Sequence, residues 1–184
     1  MTRRLLVLAA AVFASLVLAS PVSASGQSSP ACLPGPNACS QTIHFTSNPP
    51  FAVPFPCSSL AGLDVITESN GNGVIHFNVN GAGDFWVTST YTGAISVQPA
   101  LSVVRDANGN VVSFVPDPSR PSASGRVTDW FGFEQNHSNA VGSNTVNAQV
   151  TTTDGQSVAF HLNGHIQFSA TGVPIRMFTD FHCA

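Results

Sequence analysis

The chain has 184 residues, of which only 8% are charged, and it contains no lysine. If a leader is removed after Ala24, four arginines and nine acids remain, a formal charge of −5. Binding to nucleic acids and to anionic membrane surfaces depends on clustered cationic side chains, so this composition argues against both partners. About 160 residues are enough for one domain with a sizeable core.

The N-terminus has the features of an export signal. Arg3 and Arg4 precede an apolar run from Leu5 to Leu18, and Val22-Ser23-Ala24 offers small residues for cleavage. The run is too short for a spanning helix, which needs about 20 residues, and no later run is longer. We therefore expect residues 1–24 to be a signal peptide and the mature chain to be secreted, extracellular and without a membrane span.

Four cysteines in an exported chain predict two disulfides. Three pairings are possible among Cys32, Cys39, Cys57 and Cys183. Cys32 and Cys39 flank a loop rich in Pro and Gly that could close locally, which would leave Cys57 to pair with Cys183. Zinc ligation is the alternative, and it is disfavoured because the chain has no Cys-x-x-Cys pair and the expected compartment is oxidising.

Composition divides the mature chain near residue 56. Residues 25–56 predict a Pro/Ser-rich N-terminal extension with a local disulfide loop, and four prolines within 48–56 exclude a central strand there. Residues 57–184 predict an antiparallel β domain, because apolar and polar residues alternate between turn clusters. We predict strands near 41–46, 63–69, 74–80, 84–97, 100–105, 110–115, 126–134, 144–152, 156–169 and 174–183.

Turns and register follow from the same alternation. Turns are predicted at 70–73, 81–83, 106–109, 153–155 and 171–172, and neighbouring strands are aligned so that their apolar faces meet. The predicted apolar pairs are Val79–Phe85, Phe77–Val87, Val150–Val158, Ala148–Phe160, Phe168–Ile175, Ile166–Met177 and Leu162–Phe181. The fold class is therefore all-β. We predict a single antiparallel up-and-down β-barrel stapled by disulfides, which has no free edge, with a two-sheet β-sandwich as the alternative.

The register of the last two strands brings polar side chains together. It sets His161 opposite His182 and Asn163 opposite Asp180, with Asn147 on the other side of His161. Directly paired residues have Cβ atoms about 4.5–5.5 Å apart, so the two histidines could share a metal or a proton. Asp180 could orient His182. The alternative is an exposed polar face without a site.

Both tryptophans fall on polar faces of their strands. Trp86 alternates with Asp84 and Thr88, whereas Trp130 alternates with Thr128 and Glu134. An exposed Trp among hydroxyl, amide and imidazole groups can stack on a sugar ring, and the alternative is a Trp that packs under a loop. The candidate ligand-binding residues are Trp86, Trp130, His161, Asp180 and His182.

Catalytic motifs are missing from the sequence. It has no Gly-x-Ser-x-Gly elbow, no phosphate loop and no His-Glu-x-x-His pair. Nine acids are enough for a glycosidase carboxylate pair, but nothing in the sequence singles out two of them. We therefore predict no catalytic residues, no resident metal and no cofactor.

A family resemblance is carried by Gly125–Phe133, by Asn147–Gly172 and by the closing Phe181-His182-Cys183. These segments are similar to parts of small secreted β-barrel-like proteins of high-GC Gram-positive bacteria, a likeness that covers residues 57–184. The resemblance implies export, a barrel-like fold and a Cys57–Cys183 disulfide. It implies no activity.

Three functional hypotheses follow. The first is a non-enzymatic barrel that binds a small apolar or amphipathic ligand inside, because twelve of the thirteen phenylalanines lie beyond the leader. The second is a module that binds carbohydrate or cell surfaces through exposed Trp86 and Trp130. The third is a metal-binding protein or metal-dependent enzyme that uses His161, His182 and Asp180.

Overall fold

The computed structural model describes residues 38–57 and 60–184, and every regular element in this part of the chain is a β-strand. The strands are β1 Cys39–Phe45, β2 Asn48–Phe55, β3 Gly62–Val79, β4 Phe85–Arg105, β5 Val111–Pro116, β6 Ala123–Gln135, β7 Asn139–Thr152, β8 Ser157–Ser169 and β9 Pro174–Cys183. Within these residues the structure contains no helix of the length and hydropathy that crossing a bilayer requires. The predicted signal peptide lies outside the described residues. β1 and β2 fall in the segment assigned to an extension, and both are paired with β3.

All nine strands belong to one antiparallel sheet. The main path is β1-β3-β4-β6-β7-β8-β9, and β2 pairs with β3 while β5 pairs with β4. β3 and β4 are long, with 18 and 21 residues, so each has room for two shorter partners along its length. The segments predicted at 84–97 and 100–105 are both parts of β4.

The sheet does not close into the predicted barrel, and it does not divide into the two sheets of a sandwich. Among the described strands, neither β1 nor β2 pairs with β9. β2 contains Pro49, Pro50 and Pro54, which have no N–H to donate, so this strand suits an edge and cannot complete a ladder on its free side. The prediction of a closed barrel was wrong because it was based on the number of strands and hairpins, and it did not consider the missing N–H donors of β2.

Side chains connect the two ends of the sheet where hydrogen bonds do not. Cys57, just after β2, forms a disulfide with Cys183 at the end of β9, as predicted. Phe55 packs against Phe160 and Phe181, with ring centroids 4.7 and 5.6 Å away. The sheet is therefore curled, with its two ends fastened together. Cys39 is also disulfide-bonded, and its predicted partner, Cys32, lies outside the described residues.

The face toward which the sheet curls is called the inner face here, and it carries the larger core. Its buried side chains include Phe55, Leu60, Ile66, Tyr91, Ile95, Val97, Val127, Val150, Val158 and Phe160. A smaller cluster of Ala52, Val65, Ala100 and Val111 lies on the opposite face, near β2 and β5. The rest of that opposite face is called the outer face, and within residues 38–57 and 60–184 no second layer packs on it.

The predicted registers are confirmed with one exception. The confirmed pairs are Val79–Phe85, Phe77–Val87, Val150–Val158, Ala148–Phe160, Ile166–Met177 and Leu162–Phe181. Phe168 instead pairs with Pro174, because a bulge follows Gln167. The last turn is therefore longer than predicted, and the Ser169 N–H donates to the Val173 carbonyl at 2.9 Å.

The turn predicted at 70–73 is wrong. β3 passes through this segment with a bulge between Ser69 and Asn72, and Asn70 adopts a φ of 51°. The small residues there admit a ring: a Cβ at Gly71 would lie 2.4 Å from the Tyr91 side chain, and one at Gly93 would lie 2.3 Å from its hydroxyl. The glycines make space for an aromatic side chain, and the chain does not reverse.

Candidate functional site

One row of polar residues crosses the outer face on five strands. It consists of Thr92, Thr128, Asn147, His161 and His182, each directly opposite the next. The row lines a shallow depression of about 510 Å³. The predicted juxtaposition of His161 with His182, and of Asn163 with Asp180, is confirmed.

His161 is held at both ring nitrogens. Its Nδ1–H donates to Asn147 Oδ1 at 2.6 Å, and its Nε2 accepts from the Asn163 amide at 2.7 Å. The Thr145 hydroxyl in turn donates to Asn163 Oδ1 at 2.9 Å. In this chain of hydrogen bonds His161 donates through Nδ1 and accepts through Nε2, so its ring is held in one orientation. A metal ion at His161 would have to break one of these bonds.

His182 has a partner of its own. Its Nε2 lies 2.9 Å from Asp180 Oδ2, and its ring centroid lies 6.5 Å from that of His161. In the part of the chain that the structure describes, no three His, Cys, Asp or Glu side chains are grouped so as to hold a metal ion. The two histidines are neighbours, but each is oriented by different polar groups. The arrangement suits hydrogen bonding to a ligand better than it suits metal coordination.

Trp86 and Trp130 lie on the same outer face, and each is 41% exposed. Trp86 is opposite Glu134, and Trp130 is opposite Thr90. The Trp130 ring covers Gly132 on its own strand, because a Cβ at Gly132 would lie 2.8 Å from the ring. The glycine lets the indole rest on the sheet while part of it stays in contact with solvent.

The aromatic surface continues onto β8 and β9. His165 stacks on Phe178 with centroids 5.4 Å apart, and the Arg176 guanidinium lies 5.3 Å from the Phe178 ring. Ser143 Oγ lies 3.0 Å from His165 Nδ1 and orients the imidazole. This group was not predicted from the sequence. Its signal was the alternation of β9, which places Phe178 on the same face as Arg176 and Asp180.

The inner face holds a second set of polar groups, which was not predicted from the sequence and consists of Glu68, Tyr91 and Asp129. Glu68 is 4% exposed and Tyr91 is 1% exposed. Tyr91 is directly opposite Asp129, and Glu68 is opposite Ile95 on the same strand as Tyr91. Alternation alone would have placed Asp129 on the apolar face, because it lies between Val127 and Phe131.

These inner carboxyls are in surroundings that favour their neutral forms. Burial, helped by the charge of Glu68 and opposed by a backbone hydrogen bond from Tyr91, raises the pKa of Asp129 to about 7. Burial also raises the pKa of Glu68, against a hydrogen bond from the Asn48 amide at 2.6 Å. Burial and the two carboxylates raise the pKa of the Tyr91 phenol.

A third buried acid, Asp64, has a structural role. It lies 3.2 Å from the Arg120 guanidinium, which is also bound 3.1 Å from Asp117. Burial raises the pKa of Asp64 to about 6, although Arg120 opposes the shift. Arg120 also donates to the carbonyls of Leu60 and Ala61, so this cluster fastens the loop before β6 to the start of β3.

The chain has no match among protein-family models, curated proteins or solved structures. The resemblance to small secreted proteins of high-GC Gram-positive bacteria therefore stays a prediction.

Proposed function

We propose that the protein is a secreted, non-enzymatic module that binds a polysaccharide through the outer face of its sheet. The observation that carries the proposal is the exposure of Trp86 and Trp130 on one face of a continuous sheet, beside a row of hydroxyl, amide and imidazole groups. Aromatic rings contact the apolar face of a sugar, and the polar row supplies partners for its hydroxyls. An extended, uncovered face fits a polymer better than a small molecule.

The charge on this face indicates which kind of polysaccharide. Around the tryptophans and the depression, Arg126 and Arg176 are accompanied by Glu134 and Asp180, which lie on the same outer face. Neither sign dominates, so there is no field that would select a strongly anionic polymer. We therefore infer a neutral glycan as the ligand class.

Binding of an apolar ligand inside the fold has less support. The inner face is filled near the disulfide by Phe55, Phe160 and Phe181, which pack against one another. The depression described above lies on the outer face instead. Export agrees with the Cys57–Cys183 disulfide, since such bonds persist in oxidising compartments.

Sedimentation with insoluble neutral polysaccharides, such as cellulose and chitin, tests this proposal. The wild-type chain should sediment with at least one of them, and the Trp86→Ala/Trp130→Ala variant should lose at least about tenfold in affinity, which is the loss of about 1.4 kcal/mol. Leu101→Ala is the matched control, because Leu101 is 64% exposed but lies near the end of β4, beyond the residues that form the depression. Equal retention of wild type and the double variant, both folded by circular dichroism, would contradict the proposal.

A further inference from the structure

β9 forms a free edge of the sheet. Among the described strands it pairs only with β8, and eight of its ten residues are exposed, so no other segment of residues 38–57 and 60–184 covers this edge. The contacts that β9 makes with the segment around β2 lie at its end, at Phe181 and Cys183. The stretch from Arg176 to Asp180 is therefore open to an incoming strand.

The ladder between β8 and β9 shows which backbone groups of β9 are free. Ala184 and Ala159 exchange both of their backbone hydrogen bonds, at 2.9 and 2.8 Å, and the register is unbroken from there back to Arg176. In an antiparallel ladder, pairs that exchange hydrogen bonds alternate with pairs that do not. The outer-face residues of β9 therefore bond to β8, whereas Met177 and Thr179, on the inner face, direct their N–H and C=O groups to the free edge.

The outer face of β9 carries opposite charges on either side of an aromatic ring. Arg176 and Asp180 are each two residues from Phe178 and lie on the same face. The Arg176 guanidinium lies 5.3 Å from the Phe178 ring and has no acidic partner among the described residues. His182 contacts Asp180 at Oδ2, which leaves Oδ1 for another donor. If a second β9 runs in the opposite direction beside the first, the positive side chain of each strand meets the negative side chain of the other.

We propose that β9 is an interface between two copies of this chain, whose β9 strands pair antiparallel about a two-fold axis at Phe178. Met177 exchanges backbone hydrogen bonds with Thr179 of the second copy, and the symmetry repeats this pair. On the outer face, Arg176 lies directly opposite Asp180 of the second copy, also twice, and the two Phe178 rings meet on the axis. These outer pairs are the closely spaced pairs of an antiparallel ladder, where side chains interact best.

Charge selects this register over its neighbours. Moving the axis by two residues would set Arg176 against its own copy in one direction and Asp180 against its own copy in the other, and like charges directly opposite each other destabilise a ladder. An axis on Met177 or Thr179 would leave both charges without an opposite charge across the ladder. The match uses only residues of β9 itself, which is why a second copy of the chain is the partner that fits this edge.

The pairing also joins the two outer faces. β9 is the last strand of each sheet, so the outer face of one copy continues into that of the other. For the polysaccharide binding proposed above, the dimer offers two sets of contact groups to one polymer, which raises the apparent affinity without any new contact. This consequence rests on the proposed function. The dimer is measured without a glycan, so the two proposals can fail separately.

Sedimentation velocity of the full chain over a range of concentrations tests the interface. One pair of strands is a small interface, so we expect a monomer–dimer equilibrium with a Kd of about 10⁻⁵–10⁻⁴ M. Arg176→Asp and Asp180→Arg should each raise the Kd at least about tenfold, and an equimolar mixture of the two variants should restore association, because every pair across the ladder is again of opposite charge. Arg126→Asp is the matched control, since it makes the same change of charge on the outer face of β6, and it should dimerise like wild type.

Two further substitutions test the register. Thr179→Pro removes an N–H that points to the free edge and not to β8, so it should keep the fold of the monomer and abolish the dimer, whereas Thr179→Val should retain both. Phe178→Cys should yield a disulfide-linked dimer, because the two Cα atoms on the axis lie about 4.5 Å apart. Asp180→Cys is its control, since the two copies of that residue lie about 13 Å apart.

Three outcomes would overturn the proposal. The first is a wild type that stays monomeric at about 1 mM. The second is a dimer that persists unchanged in Arg176→Asp and in Thr179→Pro, because the association would then lie elsewhere on the molecule. The third is a Phe178→Cys chain that forms covalent dimers no faster than the Asp180→Cys chain.

Discussion

At the residue scale, Asp129 shows how position on a strand changes the chemistry of a side chain. It lies between Val127 and Phe131 on the inner face, and burial raises its pKa to about 7. An unfolded Asp has a pKa of about 3.9, so between these two values the folded chain binds more protons than the unfolded chain. The free energy of unfolding should therefore fall as the pH rises from about 4 to 7, and then level off.

Asp129→Asn should remove much of that pH dependence. We expect the wild type to lose about 2–4 kcal/mol of unfolding free energy between about pH 4.5 and 7.5, and the variant to lose at least about 2 kcal/mol less. Urea denaturation at a series of pH values measures both slopes. Glu134→Gln, on the outer face of the same strand, should keep the wild-type slope. Parallel slopes for wild type and Asp129→Asn would contradict the prediction.

Gly132 determines how the Trp130 ring is oriented on the sheet. A methyl group there would lie 2.8 Å from the indole, whose far end is free to move because the ring is partly exposed. Gly132→Ala should therefore lift the ring from the sheet and weaken polysaccharide binding several-fold, while stability changes by less than about 1 kcal/mol. Sedimentation together with the Trp emission maximum measures this effect. An unchanged affinity with a shifted emission spectrum would show that the ring posture is unimportant.

At the scale of elements, β6 and β7 meet at Gly125 without room for a side chain. A Cβ there would lie 1.9 Å from the Gln149 carbonyl oxygen and 2.7 Å from the Val150 Cα. Both are backbone atoms, so a side chain at this position has to push the two strands apart. The close approach lies on the inner face, where Gly125 is opposite Ile95 and Val150.

Gly125→Ala should destabilise the sheet strongly. We expect a loss of about 2–4 kcal/mol in unfolding free energy, because the ladder between β6 and β7 must distort. Chemical denaturation provides the measurement. Gly81→Ala is the matched control, since a Cβ there meets nothing within 4 Å and the substitution should change stability by less than about 0.5 kcal/mol. A loss below about 1 kcal/mol for Gly125→Ala would show that the strands can adjust.

At the scale of the whole molecule, the curled sheet depends on the link between its ends. The Cys57–Cys183 disulfide spans 126 residues of sequence and joins the segment after β2 to the end of β9. Phe55, Phe160 and Phe181 pack together nearby. With no ladder between β2 and β9, these contacts resist opening of the sheet.

Replacing both cysteines, as Cys57→Ala/Cys183→Ala, should cost about 4–5 kcal/mol of unfolding free energy through the restored entropy of the unfolded chain. Denaturation of the variant under oxidising conditions is preferable to adding a reductant, because Cys39 is in a disulfide too. A loss below about 1 kcal/mol would mean that the aromatic contacts alone hold the ends together.

Alternation and turn composition determined much of this protein from the sequence by itself. They predicted an all-β chain, the pairing of Val79 with Phe85 and of Val150 with Val158, and the meeting of His161 with His182. These features are local, because a short turn and a period of two along a strand determine which residues of a hairpin face each other. The same alternation also indicates that Asp129 faces inward, although this position was not among the predictions.

Only the tertiary structure decided how the sheet ends and which buried groups meet. The prolines of β2 suit it to the edge of the sheet, which curls without closing. The Cys57–Cys183 disulfide, and not a hydrogen-bond ladder, connects the β2 end of the sheet to β9. From the sequence, Gly71 was predicted to lie in a turn. In the structure it makes room for the ring of Tyr91, which lies on another strand. Glu68, Tyr91 and Asp129 come from β3, β4 and β6, and their shared position on the inner face depends on pairing between strands that are distant in sequence. Such contacts produce no periodic pattern in the sequence. The alternation within a strand indicates which of its side chains are buried, but it does not indicate which strand lies beside it.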